Sequence, residues 1–374
     1  QGVLSVRDPV TAWLPAFAPG GRWAERAPTL DELMRHTSGL PDQLDWSCDG
    51  RGWVSDTFDG RWAPELLAPP GAVHNYANPN FTALGAVLEQ VYGVPFPEAM
   101  QEAMLEPLGM RTATYDADEA AALGALPGQG GAEGGFLYEV DEWDCVNSRP
   151  PAWLHGSVRD VARFVENLLR EDLPPSLALG LSDPVDTRWW GSGEHGMAPG
   201  FHVTRYRGGE PLWWHDGWVT GFASHLAVLP ERGLAVVLVA THHDANTGGL
   251  RNQVLDNFLG VEDDADPPHA PWLTPLEEQA VWAGVYAQTA GDAPAYTVGE
   301  LVVVPSTPDQ VMALYWPDGT PIPLPQIDGD AFGYVDPAGV VHKVRFVRAH
   351  GEVFLVHRDW VAVRTGDAPE GLSP

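Results

Sequence analysis

Leu212-Trp213-Trp214-His215-Asp216-Gly217-Trp218-Val219-Thr220-Gly221-Phe222 is the stretch that decides how this chain folds. Aromatic and β-branched side chains suit a pleated, half-buried surface, so it reads as a strand that ends at His215-Asp216-Gly217. The sequence on both sides keeps a period of two. Residues 201–207 and 210–215 read as strands joined at Gly208-Gly209, a hairpin turn signal. Residues 222–229 and 234–241 form a second hairpin around Pro230-Glu231-Arg232-Gly233. Consecutive hairpins build an antiparallel sheet.

Helical patterns flank that block. Thr29 with Glu32 three residues on is a capping box, in which two orphan backbone donors are satisfied reciprocally, for a helix over 30–35. Apolar spacing at Phe81, Leu84, Val87 and Leu88 predicts a second helix, and another falls over 98–105. Ser157 with Asp160 caps a helix over 158–169. A last helix puts Leu250, Val254, Leu255, Phe258 and Leu259 on one face and stops at Gly260. Residues 117–135, rich in Ala, Gly and acids, read as a loose surface segment. The chain divides into residues 1–261, a Pro-rich linker over 262–275, and an all-β module over 276–374 with its clearest strands at 301–304, 340–347 and 353–357. The fold class is α+β, with helices around a central antiparallel sheet and a β-rich accessory domain.

Lys+Arg is 21 against Asp+Glu 51, a net charge of −30. A field of that sign repels phosphate backbones and argues against a nucleic-acid partner. No apolar run of about 18 residues marks a membrane-spanning helix. The two cysteines, Cys48 and Cys145, cannot make a metal site alone. A disulfide between them would favour an oxidising, extracytoplasmic compartment, and two free thiols are the alternative. No His-Glu-x-x-His helix is present, and His242-His243-Asp244 reads as surface, so no metal is expected.

Tyr76 and Asn78 are two apart, so an extended segment points both at one cleft. A tyrosine with an ordinary pKa near 10 needs a nearby cation before it relays protons at neutral pH. His215 can orient a carboxylate or assist proton transfer. Gly217 lets a ligand approach the backbone, and an edge strand there would offer its N–H and C=O groups to a peptide-like substrate. Taken singly, a packed Tyr beside a turn-forming Asn and a structural His at a strand end are the plainer readings. Trp213, Trp214 and Trp218 are the tryptophans placed to touch substrate.

The order of these pieces resembles the serine β-lactamase-like family of class C β-lactamases, DD-peptidases, D-aminopeptidases and esterases. The resemblance runs over about residues 1–260 and rests on five segments: 2–10, Leu33-Met34-Arg35-His36-Thr37-Ser38-Gly39-Leu40, Tyr76-Ala77-Asn78, Pro107-Leu108-Gly109-Met110 and 215–222. It implies that Tyr76 is a proton-transfer residue and Asn78 a substrate contact. It implies that His215 and Gly217 line the substrate strand, with Trp218 and Val219 carrying an oxyanion-hole donor. It implies acyl-enzyme hydrolysis of an amide, D-amino-acid peptide, β-lactam or ester, a small-molecule or peptide substrate, with no cofactor.

The family's first motif, Ser-x-x-Lys, sets serine and lysine one helical turn apart so that they face each other. The single lysine is Lys343, in Val340-Val341-His342-Lys343, and Ser5-Val6-Arg7-Asp8 has Asp where Lys belongs. The expectation is therefore a hydrolase domain whose nucleophile segment lies ahead of Gln1, inactive by itself, with a sheet edge and apolar surface left open. A binding relative that keeps the cleft without the chemistry is the alternative. Ser38, near His36, is expected to brace a loop rather than attack.

Overall fold

The computed structural model describes residues 2–44, 52–131, 137–140, 145–170, 175–187, 195–261, 281–287, 300–304, 312–316, 319, 321–328, 331–335, 341–357 and 361–369. The helical part begins with α1 (Leu30–Met34), whose Thr29–Glu32 capping box forms as its sequence dictates. α2 (Asn78–Tyr92) is the longest helix and ends on a left-handed Gly93. α3 (Phe96–Met100) runs through a π-turn (Gln101–Leu105) into α4 (Glu106–Leu108), so the helix expected over 98–105 is bent and longer. The loose segment expected over 117–135 instead contains α5 (Ala117–Ala122), capped by Asp116, and the first strand of a two-stranded ribbon, β1 (Gln129–Gly131) with β2 (Leu137–Glu139). α6 (Val158–Leu168) carries the expected Ser157–Asp160 capping box, and α7 (Pro175–Ser182) leads to the main sheet.

That sheet has six antiparallel strands in chain order: β3 (Val185–Asp186), β4 (His195–Ala198), β5 (Phe201–Arg205), β6 (Pro211–Val219), β7 (Phe222–Leu229) and β8 (Leu234–Ala240). Alternation divides its side chains between two layers. Val165 and Leu168 of α6 pack with Phe201 and Val228 on one face. Leu255 of α8 (Thr247–Leu259) packs with Leu212, Trp214, Ala227 and Val236 on the other. The single apolar face expected for α8 splits. Leu255 is 1% exposed, while Leu250, Val254 and Phe258, spaced four apart, are 47%, 37% and 73% exposed. β8 is the last strand of the sheet among the described residues, an uncharged run Leu-Ala-Val-Val-Leu-Val-Ala with one edge open. Open apolar edges of this kind invite pairing with another strand.

The expected linker over 262–275 lies outside the described residues. Beyond it, nine antiparallel strands form a second sheet: β9 (Gly284–Ala287), β10 (Glu300–Val304), β11 (Ala313–Tyr315), β12 (Pro321–Pro323), β13 (Gln326–Asp328), β14 (Ala331–Val335), β15 (Val341–Ala349), β16 (Glu352–His357) and β17 (Val361–Gly366). Their spatial order is β12-β11-β10-β9-β17-β16-β15-β14-β13. The two outermost strands are joined in sequence only by Leu324-Pro325, so the sheet must curl until its edges nearly meet. Tyr286, Leu301, Phe332, Phe346 and Leu355 pack together on one side. On the other side Val347, Phe354, Val356, Val361 and Val363 cover Ala68 and Val73 of the helical part. Arg22 and Glu352 add a 3.0 Å ion pair across the same junction.

One buried acid organises the helical core and was not singled out from the sequence. Glu89 is 1% exposed, and its two oxygens accept N–H bonds from Val54, Ser55 and Phe96 at 2.8–2.9 Å. The side chain thus satisfies the starts of a 3-10 turn (Val54–Phe58) and of α3 together. Leaving such donors buried and unpaired costs about 1–3 kcal/mol each. Glu89→Ala should therefore lower unfolding free energy by roughly 3 kcal/mol or more in urea titration, with Glu89→Gln losing less. A change within about 0.5 kcal/mol, typical of a neutral surface site, would remove Glu89 from this role.

Candidate active site

The site lies on the seam between the helical part and the six-stranded sheet. Gly200 N–H donates to Met34 C=O across that seam at 3.1 Å. Arg35, 7% exposed, is held by Asp31 at 2.9 Å and reaches over to Asp183 C=O at 2.7 Å. These contacts fix where residue 36 sits. His36 has φ 53°, a left-handed conformation unusual for a residue with a Cβ. Its carbonyl accepts from Asn75 N–H at 2.8 Å, and its Nδ1 accepts from Ala77 N–H at 3.0 Å. Asn80 Nδ2 lies 3.0 Å from the same nitrogen, while Asn80 Oδ1 accepts from the Ser38 hydroxyl at 2.6 Å. With Nδ1 accepting, the ring proton sits on Nε2. Ser38 is 0% exposed and braces this network, so it cannot meet a substrate. Gly39 is required by a close approach: a Cβ would stand 2.1 Å from Ala68 C=O.

This loop delivers Tyr76 and Asn78 as their spacing predicts. Ala77 between them is extended (φ −153°, ψ 119°) and fully buried, whereas Tyr76 and Asn78 are both half-buried. Asn78 opens α2, and Ala77 has no side chain to cap it. Asp42 takes over, accepting from Asn78 N–H at 2.7 Å and lying 3.4 Å from its Nδ2. Neither Asp42 nor Asn80 stands out in the sequence, since each acts on a partner about 40 positions away.

His215, Asp216 and Gly217 do not end their strand, as expected from the sequence, but lie inside it. β6 runs on to Val219 and pairs with β7 over its length, Gly217 opposite Ser224 and Val219 opposite Phe222. Nor is β6 simply an edge strand. Trp213 and Trp214 are paired on both sides, and the register with β5 stops at Trp214, opposite His202. Among the described residues, 215–219 therefore have a neighbour on one side only. Gly217 is exposed there, and a Cβ on it would meet Ser224 Oγ at 2.4 Å.

The tryptophans separate. Trp218 is 64% exposed, 5.7 Å from the His243 ring, which accepts Gly221 N–H at 3.2 Å through Nδ1. Trp213 packs into the α6 cluster. Trp214 is 8% exposed and offers no face to a ligand. Its ring lies 4.5 Å from His202 and 5.6 Å from His225. Tyr76 meets the sheet at this point, its ring 4.2 Å from His36, 6.2 Å from His215 and 6.4 Å from His202. No group of three or more His, Cys, Asp or Glu among the described residues is arranged to hold a metal ion. Cys145, 1% exposed, is disulfide-bonded, and the one other cysteine of the sequence, Cys48, lies outside the described residues.

The beta-lactamase family profile matches residues 1–257. The chain belongs to the beta-lactamase family. Relatives include the unguisins hydrolase ungD' of Aspergillus campestris, 24% identical over 70% of this chain and 52% of its own length. Penicillin-binding protein 4 of Amycolatopsis lactamdurans is 25% identical over 78% of this chain and 80% of its own. The D-aminopeptidase of Gluconobacter oxydans is 29% identical over 68% of this chain and 51% of its own. The chain thus spans about half the length of the first and third. Among solved structures, SurE superposes with a TM-score of 0.70 at 24% identity, covering 97% of this chain and 82% of that one, and it has also been solved with D-Leu. That likeness extends over the curled C-terminal sheet as well as the beta-lactamase-family domain.

Four buried imidazoles of this region, His36, His74, His202 and His225, are held neutral. Burial pushes His74 and His225 down to about 4, the Arg251 cation adding to the effect on His225, and it takes His36 and His202 well below the ordinary value. Neighbouring histidines, His215 among them, push the last two further the same way. Below about pH 6.5 the unfolded chain takes up protons that these folded rings refuse. Stability is then complete above about pH 6.5 and falls as the pH drops toward 4, by about 1.4 kcal/mol per pH unit for each such histidine. Urea midpoints should hold level between pH 7.5 and 6.5 and fall between pH 6.5 and 5, and His74→Phe should flatten that fall. A pH-independent midpoint over this range would contradict the burial of these rings.

Proposed function

We propose that the beta-lactamase-family domain is the substrate-holding part of an acyl-transfer hydrolase site for amide or peptide bonds at D-configured residues. The observation that carries this is the meeting of Tyr76 with His215 across the seam, 6.2 Å between rings, beside a strand whose residues 215–219 have a strand neighbour on one side only among the described residues. An extended substrate would add to that side through backbone hydrogen bonds. Asn78 would hold its amide, and Trp218 would cover it. A backbone N–H near Trp218 and Val219 would receive the oxyanion; each such donor is worth about 3–4 kcal/mol in the transition state. The preference for D-residues draws on the D-aminopeptidase relative and on SurE, solved with D-Leu.

Residues 1–374 contain no Ser-x-x-Lys pair. Tyr76 needs a cation to act as a base near neutral pH, and the buried rings of His36 and His202 are neutral there. On this reading the nucleophile and its activating charge come from a polypeptide segment other than these residues. The open edge of β8 and the exposed Leu250-Val254-Phe258 stripe would accept an added strand and helix, whichever polypeptide supplies them. A binding relative that keeps the cleft without chemistry is the second reading, favoured by the same lack of Ser-x-x-Lys.

The chain as it stands should show no turnover of nitrocefin, D-amino-acid amides or p-nitrophenyl esters above buffer. Turnover that Tyr76→Phe abolishes would place the nucleophile inside residues 1–374 and end this account. Fusing a helical segment that carries Ser-x-x-Lys ahead of Gly2 separates the two readings. Tyr76-dependent hydrolysis supports the hydrolase, and none supports the binding relative.

A further inference from the structure

His202 has no part in the motifs, yet it stands at the junction of everything described above. It lies on β5 opposite Trp214, two residues after Gly200. Gly200 bonds to Met34 C=O, and Met34 lies two residues before His36. One hydrogen bond across the seam therefore sets an imidazole from each part beside Tyr76. The rings are close to parallel from one end to the other. His36 and Tyr76 are 26° apart, Tyr76 and His202 17°, His202 and Trp214 24°, and Trp214 and His225 10°. The successive centroid separations are 4.2, 6.4, 4.5 and 5.6 Å. All fall near the range in which aromatic pairs attract beyond simple burial, about 4.5–7 Å. Arg251 lies beside the end of the run, its Nη1 3.2 Å from His225 Nε2 and its guanidinium carbon 5.7 Å from the Trp214 ring centre.

We infer that His202 is a positioning residue for Tyr76: its ring, stacked on Trp214, fixes the angle at which the tyrosine faces the substrate strand. The inference rests on the reading of Tyr76 as the proton-transfer residue. Three observations support the ring itself as what matters. His202 is 6% exposed, so it contacts no substrate. Its Nδ1 is buried without a hydrogen-bond partner, so polar bonding at that atom does not account for it. It also stands 5.5 Å from His215, so one side chain touches the surroundings of both Tyr76 and His215. A misplacement of about 1 Å at a catalytic group costs up to roughly a hundredfold in rate, which gives such a support its value.

The test uses the full chain with 13C-labelled tyrosine rings, the Tyr76 signal being the one missing from Tyr76→Phe. His202→Leu and His202→Ala should displace that signal and speed Tyr76 ring flipping, and His202→Phe, which keeps an aromatic ring, should leave it close to its parent position. Should His202→Ala unfold, seen as lost signal dispersion, His202→Leu has similar bulk and carries the comparison. An unmoved Tyr76 signal in His202→Leu overturns the inference, as does a His202→Phe signal displaced as far as that of Leu. In the fused chain carrying Ser-x-x-Lys, His202→Leu should lower kcat with KM little changed, and His202→Phe should restore most of it. Loss in KM alone would overturn positioning. A fused chain with no turnover in any form counts against the hydrolase reading, while the tyrosine signals still decide the role of His202.

Discussion

Everything at the site hangs on one short connection, the Met34–Gly200 hydrogen bond and the buried Arg35 guanidinium beside it. A helix of five residues has little stability of its own. It holds its place because Arg35 is tied to Asp31 on its own helix and to backbone carbonyls at the start of the sheet. A buried guanidinium with its donors used is stable, and one with its partners removed is a heavy penalty. The pair of anchors therefore defines a single arrangement of the two parts. His36 follows at once, in a left-handed conformation that only its three hydrogen-bonded neighbours Asn75, Ala77 and Asn80 justify.

The C-terminal sheet takes part in the same chain of support. Its outer face of Val347, Phe354, Val356, Val361 and Val363 closes over Ala68 and Val73. That loop lies against residues 37–39 through Gly71 N–H to Thr37 C=O and Leu67 N–H to Gly39 C=O, and it leads into His74, Asn75 and Tyr76. Packing in proteins is dense and transmits strain, so the accessory sheet bears on the position of Tyr76 through this loop. A module that composition presents as a separate appendage is continuous with the wall of the cleft.

Much of this was legible in the sequence, because local rules govern it. The two Ser/Thr capping boxes, the hairpin around 230–233 and the two-residue spacing of Tyr76 and Asn78 act over a few positions and form as read, while the connection at Gly208-Gly209 is a longer one that takes in a helical turn over Tyr206–Gly208. What the sequence hid is long-range. Glu89, Asp42, Asn80 and His202 each serve groups distant along the chain, and nothing local distinguishes them from ordinary surface or core residues. The strand through His215 was read as too short because Asp216 and Gly217 look like a turn; pairing with β7 overrides that local preference. The α8 stripe misled in the opposite way, since a helical period shows that a face is apolar but not that anything covers it.

The central proposal is that residues 215–219 of β6, where His215 meets Tyr76, hold an extended substrate. Amide NMR of the 15N-labelled chain titrated with an N-acylated D-alanyl-D-alanine peptide tests it most directly. The account predicts saturable shifts confined to the amides of 215–219, to Asn78 and to the Trp218 indole, and their loss in a variant that replaces Gly217 with Pro. Shifts centred on another surface, or none at millimolar peptide, would contradict it.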